Sequence, residues 1–186
     1  MNSRLFRFCG GNTGLWRVTE CRALHGQPLA AVTHLSILSG DTPDILAGAV
    51  WTLRGMVSNS RYTTRQELDR LNAVSPALGR VEATCAALIP IRKSAAWWAL
   101  AQDERRAIVE ERSHHIDIGL HYLPAVARRL HHCRDLGAEP FDFLTWFEFA
   151  PCDVKPFEEL VSRLRETDEW SYVEREMDLR LTRSPG

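Results

Sequence analysis

The sequence predicts an α+β fold in which two ferredoxin-like units, the first of them truncated, curve into a barrel with helices on the outside. Residues 83–182 have the order strand, helix, strand, strand, helix, strand, which is that of a ferredoxin-like unit. Before them, three or more predicted strands and one helix suggest an incomplete second unit, although no sequence repeat links the halves. We therefore expect one compact unit with halves at residues 1–82 and 83–186.

The N-terminal half shows short strand-like segments separated by breaks that contain glycine or proline. Its strands are predicted at residues 1–14, 15–24, 29–38 and 50–57. A His-Gly-Gln-Pro turn separates the second and third, so we expect these two to pair as a hairpin. Helical spacing over residues 63–71 follows, with Thr63 or Thr64 as the N-cap.

The C-terminal half has clearer patterns. Its strands are predicted at residues 82–91, 126–133, 141–149 and 170–181. Between the first two, Ser94 caps a long helix that runs at least to Arg112 and ends before Pro124. An amphipathic helix is predicted over residues 153–165.

Strict alternation predicts which side chains of two of these strands share a face. One face of the third strand is expected to carry Phe141, Phe143, Thr145, Phe147 and Phe149. In the last strand the residues expected to point inward are Val173, Met177, Leu179 and Leu181. Those expected to point outward are Glu174, Glu176 and Asp178.

The balance of charge excludes some classes of protein. With 23 Lys and Arg residues against 24 Asp and Glu residues, the net charge is −1, which argues against binding to nucleic acid or a membrane surface. No apolar run approaches membrane-spanning length. Residues 1–14 lack the apolar core of a signal peptide, so we expect a cytoplasmic protein.

The cysteines and histidines lack the spacings of common metal motifs. Five widely spread cysteines form no C-x-x-C pair and no C-x-x-C-H site for covalent heme, so we expect reduced, mostly buried thiols. The H-E-x-x-H spacing is also missing, which makes a zinc site improbable.

His115 is the strongest candidate ligand. It lies 18 residues after Trp97, about five turns at 3.6 residues per turn, so a continuous helix would place both on one face. A histidine beside an aromatic stripe suits an axial ligand of a heme iron, while the structural alternative is a histidine at the edge of the core. His114 would point about 100° away from His115.

Arg128 is the second candidate. On a strand, Arg128, Leu130 and His132 share one face, and Arg129 takes the other. Thr145 and Phe147 on the neighbouring strand could complete a small, nearly dry chamber that contains one cation. The alternative is that both arginines lie on a solvated edge.

Together these residues resemble a known family. Trp97-Trp98 after Ile91-Arg92-Lys93, then His115 and Arg128, and then the block at 143–148 resemble the chlorite dismutase family over roughly residues 50–182. The short N-terminal half is similar to the compact branch of that family, whose members are dimers. The resemblance implies a dimeric α+β barrel that binds heme b noncovalently in its C-terminal half.

The resemblance also implies roles for individual residues. His115 matches the proximal iron ligand, Glu169 the carboxylate that accepts a hydrogen bond from its imidazole, and Arg128 the distal arginine. The residues that match the distal lining are Leu130, Thr145 and Phe147. The residues that match positions beside the porphyrin or its propionates are Trp97, Trp98, Lys93, Asn59 and Tyr62.

The reaction implied is the conversion of chlorite to chloride and dioxygen through ferryl heme and transient hypochlorite. Arg128 would attract chlorite, or another small anion, and retain the hypochlorite. Three other readings stay open: a coproheme decarboxylase, a heme peroxidase or sensor, and a barrel without heme that acts as a binding module. Arg128 argues against the first, since a neutral glutamine or histidine occupies the distal place in the relatives with that role.

Overall fold

Eight antiparallel strands close into a barrel in the computed structural model, which describes residues 4–40, 48–57 and 61–184. The strands are β1 Leu5–Gly11, β2 Trp16–His25, β3 His34–Ser39, β4 Trp51–Met56, β5 Cys85–Lys93, β6 Ala127–His132, β7 Phe143–Phe149 and β8 Val173–Arg183. Around the barrel they follow the order β1-β3-β2-β8-β5-β7-β6-β4. The predicted α+β barrel is confirmed.

The helices lie between these strands. They are α1 Arg65–Val74, α2 Ala95–Ala99, α3 Gln102–Arg106, a π-helical segment Ala107–Arg112, α4 His115–His121 and α5 Val154–Arg165. Short 3₁₀ helices span Arg134–Leu136, Pro151–Asp153 and Asp168–Tyr172. None of the helices in the described part of the chain is long and apolar enough to cross a membrane.

Both halves of the sheet have the ferredoxin-like strand order. The C-terminal strands lie side by side as β8-β5-β7-β6, so that the fourth strand of this half is followed by its first, third and second. The N-terminal strands lie as β4-β1-β3-β2, which is the same order of fourth, first, third and second. Helices connect β5 to β6 and β7 to β8, but only residues 12–15 separate β1 from β2, which leaves no room for a helix there. The boundary between residues 82 and 83 stays a prediction.

The predicted hairpin between residues 15–24 and 29–38 is wrong in most of its length. β3 begins only at His34 and pairs along β1, and it meets β2 only at Trp16 and Arg17. The rest of β2 pairs with β8 of the C-terminal half. A local turn signal could not reveal this, because the partner of β2 lies more than 150 residues away in sequence.

The strands at the centre of the C-terminal half are buried on both faces. From β5 and β7, Leu88, Leu144 and Trp146 point into the barrel, while Ile89 and Phe147 point to the outer face beneath the helices. α5 covers that outer face with Phe157, Leu160, Val161 and Leu164, whose spacing makes one apolar stripe. The outer cluster, not the barrel interior, adjoins the candidate site.

Three facing predictions need correction. Phe141 lies before β7 and packs in the barrel cluster, away from Phe143 and Phe147. Val173 packs against the outer cluster, whereas Met177, Leu179 and Leu181 point inward as predicted. Glu176 and Asp178 do lie on the outer face, but both are completely buried there. Arg165 of α5 donates hydrogen bonds to the two carboxylates at 2.8 and 2.7 Å, which makes their burial tolerable.

The predicted long helix from Ser94 to Arg112 is broken. Ser94 does cap α2, where its Oγ accepts the Trp97 N–H, but the helix stops at Ala99. The chain restarts at α3, where Glu104 accepts the Ala101 N–H at 2.7 Å, and turns again at His114, whose φ is +51°. These breaks are made by local caps and a left-handed backbone angle, which the spacing of apolar residues does not show.

All five cysteines are free thiols. Cys9 and Cys133 are buried, Cys85 is half-buried, and Cys21 and Cys152 are exposed. The expectation of mostly buried thiols therefore holds for only part of the set.

Candidate functional site

A cavity of about 300 Å³ lies between the outer face of the sheet and the surrounding helices. It brings together nine of the residues predicted for the site, namely Tyr62, Lys93, Trp97, His115, Arg128, Leu130, Thr145, Phe147 and Glu169. Eight of them come from β5, α2, α4, β6, β7 and the 3₁₀ helix Asp168–Tyr172, and Tyr62 lies before α1, so the fold alone makes them neighbours.

His115 is the first residue of α4 and faces a buried carboxylate. Its Nδ1 lies 2.6 Å from Glu169 Oε2, a distance typical of a strong, charge-assisted hydrogen bond. When Nδ1 carries the proton and donates it to Glu169, Nε2 is left with a free electron pair. Nε2 is then the atom able to ligate a metal.

Glu169 is held by further contacts. Lys93 Nζ donates to Glu169 Oε1 at 3.0 Å and to its backbone oxygen at 3.1 Å, and the Glu169 N–H donates to Ser113 Oγ at 3.1 Å. Burial alone would raise the pKa of Glu169, but the neighbouring charges and hydrogen bonds of His115 and Lys93 lower it to about 2. The carboxylate is therefore ionised and fixed in place against the imidazole.

The Lys93 side of the cavity is aromatic and polar. Lys93 Nζ lies 4.7 Å from the centre of the Trp97 ring, and Tyr62 packs edge-to-face on that ring. Trp97 is buried, and its Nε1 has no hydrogen-bond partner among the described residues, although a buried donor is normally satisfied. A carboxylate group bound at this side could accept that hydrogen bond.

Arg128 enters the cavity from the sheet. Within the described residues no hydrogen bond or ion pair to its guanidinium is found, and burial lowers the pKa of the group. Arg128 is half-buried, and a cation withdrawn from water without a carboxylate partner is stabilised when an anion joins it. This side chain is therefore suited to binding a small anion in the cavity.

The sheet register orders the wall of the cavity. Arg128 lies beside Phe147, Leu130 beside Thr145, and His132 beside Phe143. The strand-face prediction for Arg128, Leu130 and His132 is confirmed, since all three line the cavity. One wall thus runs from an arginine, across an apolar middle, to a histidine.

One predicted residue, Trp98, is not among the described residues that line the cavity. Trp98 stacks on the far side of Phe143 with ring centres 6.0 Å apart, and its Nε1 donates to Asp142 Oδ2 at 3.1 Å. It supports the wall without lining the cavity. Asn59 lies outside the described residues.

Sequence reasoning missed several lining residues. Ile89 and Ile91 extend the apolar wall, and the alternation of β5 could have indicated them. Leu68 and Leu71 reach the cavity from α1, where helical spacing gave no hint of the surface they face. Trp97 and His115 do share the cavity as predicted, but through chain turns, not through one continuous helix face.

A separate cluster of possible metal ligands lies next to this site. Ligand atoms of Glu110, His114 and Asp117 lie within 4.8 Å of one another. Two of them already have partners, because Glu110 accepts the Ile116 N–H at 2.7 Å and Asp117 pairs with Arg70 at 3.2 Å. The cluster fixes the start of α4.

The cavity as a whole fits a flat, apolar ligand that carries a metal and carboxylate groups. His115 offers a nitrogen ligand, Ile89, Phe143 and Phe147 offer an apolar wall, and Trp97 offers an unsatisfied donor. Heme has this combination of groups.

Comparison with known proteins identifies a matching family and similar solved structures. The sequence profile described as chlorite dismutase matches residues 42–184. The chain is similar to a dimeric chlorite dismutase from Nitrobacter winogradskyi, with 54% identity, a TM-score of 0.89, and coverage of 96% of this chain and 99% of that chain.

More distant structures share the fold. A chlorite dismutase from Candidatus Nitrospira defluvii in complex with imidazole has 21% identity and a TM-score of 0.72, with coverage of 100% of this chain and 93% of that chain. A mutant chlorite dismutase from the same organism has 19% identity and a TM-score of 0.71, again with coverage of 100% and 93%.

Proposed function

The chain belongs to the chlorite dismutase family, and we propose how its own residues carry out the conversion of chlorite to chloride and dioxygen. The enzyme is heme-dependent, as its family is. The cofactor we propose is heme b, bound noncovalently with His115 as the iron ligand. Heme would supply an iron centre that exchanges an oxygen atom with chlorite; everything else is done by side chains.

On the helix side, His115, Glu169 and Lys93 act as one unit. Glu169 accepts the Nδ1 proton at 2.6 Å, which fixes the imidazole ring and raises the electron density on Nε2. Lys93 holds the carboxylate at 3.0 Å and keeps its charge in place when the cavity is dry. A more basic Nε2 would make His115 a stronger ligand for the iron of a bound heme.

Arg128 is proposed to act on the anion. Its permanently charged guanidinium would attract chlorite into an otherwise apolar chamber made by residues such as Leu130, Thr145 and Phe147. The same cation would hold hypochlorite in the cavity until chloride and dioxygen are formed. The atoms and charge of chlorite balance those of the products, so no outside reductant is needed.

The anchor for the carboxylate groups of heme is proposed at the Lys93 side. The unsatisfied Trp97 Nε1 and the hydroxyl of Tyr62 are the available polar groups there. Lys93 has already donated two hydrogen bonds to Glu169, and an ammonium group has a third to give. Asn59 and Trp98 stay predictions in this role.

One observation supports the proposal most: a histidine paired with a buried carboxylate lines the same cavity as a half-buried arginine that has no partner among the described residues. A decarboxylase with a neutral distal residue, or a barrel without heme, would not need a cation in this cavity. No feature of the described residues favours those alternatives.

The assembly proposed is a homodimer, supported by the dimeric relative from Nitrobacter winogradskyi. Light scattering after gel filtration should give twice the mass of one chain. A single-chain mass at micromolar concentration would contradict this.

Oxygen release from chlorite tests the function. The protein, reconstituted with hemin, is mixed with chlorite at an oxygen electrode, and chloride is measured in parallel. We expect rapid release of close to one dioxygen per chlorite consumed. Bound heme without oxygen release would overturn the proposal and make coproheme the next substrate to try.

A further inference from the structure

Gly119 lies against the tip of Arg128. It belongs to α4, and a Cβ atom built on it would lie 2.9 Å from Arg128 Nη1 and 3.2 Å from both Cζ and Nη2. These are the three nearest atoms, and all belong to the guanidinium group. Arg128 therefore packs directly on the backbone of α4, where any larger residue would displace it.

The backbone gives no reason for a glycine at this position. Gly119 is not among the residues with positive φ, and it sits inside a regular helix, where alanine is favoured by about 1 kcal/mol. A methyl group there would meet the end of a flexible side chain, which can move at little cost. The contact with Arg128 is thus the physical feature that a glycine serves here.

We propose that Gly119 is a positioning residue that seats the guanidinium of Arg128 against α4 and so keeps it beside the anion-binding space of the cavity. The inference rests on the role proposed for Arg128. It adds a residue of α4, outside the strand that carries Arg128, that decides where the cation is placed.

The same helix carries His115. Gly119 follows it by four residues, so the two lie about one turn apart on the same side of α4. One short helix therefore sets the position of the proposed iron ligand and, through Gly119, the position of the cation from β6. Their separation then depends on a single rigid element instead of on two independent ones.

A methyl group at position 119 should push the guanidinium toward the interior of the cavity. The Cα of Arg128 is fixed by its pairing with Phe147 in the sheet, so only the long side chain can move. A cation closer to the bound anion should strengthen anion binding. We expect Gly119→Ala to bind fluoride at the ferric heme at least threefold more tightly than the wild-type protein.

A double-mutant cycle tests this inference. Fluoride is titrated into four hemin-reconstituted proteins, wild type, Gly119→Ala, Arg128→Ala and the double variant, and the heme absorbance is followed. The effect of Gly119→Ala should vanish in the Arg128→Ala background. His121→Ala, an exposed position on the same helix, is the matched control and should leave fluoride affinity unchanged.

Thermal unfolding of the four proteins without heme gives a second readout. Gly119→Ala should unfold at the wild-type temperature or above it, because the helix gains a better residue. A lower unfolding temperature for Gly119→Ala, with or without Arg128, would contradict the inference, because the glycine would then be needed by the fold itself.

The outcomes separate the inference from the function on which it rests. Equal fluoride affinity in wild type and Gly119→Ala, or an effect of the same size with Arg128 removed, would overturn the role of Gly119. If Arg128→Ala alone changes neither fluoride affinity nor chlorite turnover, the proposed role of Arg128 is what fails.

Discussion

At the scale of single residues, the site depends on buried charges that fix one another. Glu169 would be strongly destabilised by burial alone, and it is ionised only because His115 and Lys93 contact it. Arg128 has no such partner among the described residues, which makes it the group that responds to an incoming anion. The carboxylate of Glu169 is therefore fixed by its partners, while the guanidinium of Arg128 is left to bind an anion.

His115→Ala should lose or greatly weaken heme binding, because the proposed Nε2 ligand disappears. The control is His114→Ala, since His114 points away from the cavity and is not among its lining residues. Titration of hemin into each protein, followed by absorbance in the Soret region, measures the affinity. If His114→Ala lost heme and His115→Ala kept it, His114 would be the ligand, and the hydrogen bond between His115 and Glu169 would have no role in binding the iron.

Arg128→Ala should keep heme but reduce the rate of chlorite turnover by about a hundredfold to a thousandfold, as loss of one group that stabilises a reacting oxyanion typically does. The variant should also inactivate faster, since hypochlorite escapes. Oxygen release and chlorination of a dye added to the solution measure the two effects.

Arg129→Ala is the matched control for that experiment. Arg129 is next in sequence but on the other face of β6, where its guanidinium lies over the Phe6 ring. It should behave like the wild-type protein. Wild-type turnover and lifetime in Arg128→Ala would show that the cation takes no part in the reaction.

Part of the site could be predicted from residue types and their spacing, and part depends on contacts that spacing does not show. Alternation on β6 was enough to point Arg128 to the cavity and Arg129 away from it. The pairing of Glu169 with His115 spans 54 residues and could come only from resemblance to a family. Gly119 had no signal of its own, because its role exists only in the distance to another side chain.

At the scale of helices and strands, sequence patterns predicted the elements better than their connections. Strands β4 to β8 and helices α1 and α5 lie within a few residues of their predicted positions. The long helix failed because its breaks at Ala101 and His114 depend on caps and backbone angles that apolar spacing does not encode. The hairpin failed because β2 prefers a long-range partner.

Helix α1 depends on an ion pair with α3. Its N-terminus has a capping box at Thr64 and Glu67, and Glu67 also receives hydrogen bonds from Arg106 at 2.5 and 2.7 Å. These hydrogen bonds lower the pKa of Glu67 to about 2 from its usual 4.5. The carboxylate therefore stabilises the fold fully above pH 4.5, and this stabilisation is lost as the pH falls through 2.

Glu67→Gln should lower the free energy of unfolding by about 1 kcal/mol at pH 7, in the range of well-formed ion pairs near a surface. The difference from wild type should shrink as the pH is lowered from 4.5. Urea denaturation at about pH 7, 5 and 3.5 measures it. The control is Asp69→Asn, because Asp69 pairs with the exposed Arg65 at 3.9 Å, and this variant should change stability far less at any pH. An equal loss of stability in both variants would show that the ion pair between Glu67 and Arg106 stabilises the fold no more than an exposed pair does.

At the scale of the whole molecule, the cavity joins the two halves of the chain. Tyr62, Leu68 and Leu71 reach it from the N-terminal half, while His115 and Arg128 belong to the C-terminal half. Within the part of the chain that the structure describes, β4 meets β6 at a single residue pair, Met56 with His132. A ligand that fills the cavity would therefore connect parts of the fold that backbone hydrogen bonds connect only weakly.

Helix α1 should be the element most affected by this connection. None of its residues is fully buried, and its apolar Leu68 and Leu71 face the cavity. A bound heme would give these side chains a packing surface, so opening of the helix should become rarer. We expect amide hydrogen exchange in residues 65–74 to slow at least severalfold when hemin is added, while β2, which contributes no lining residue, exchanges as before. His115→Ala should show no such protection at the same hemin concentration. Equal exchange of α1 with and without hemin would mean that the cofactor is held by the C-terminal half alone.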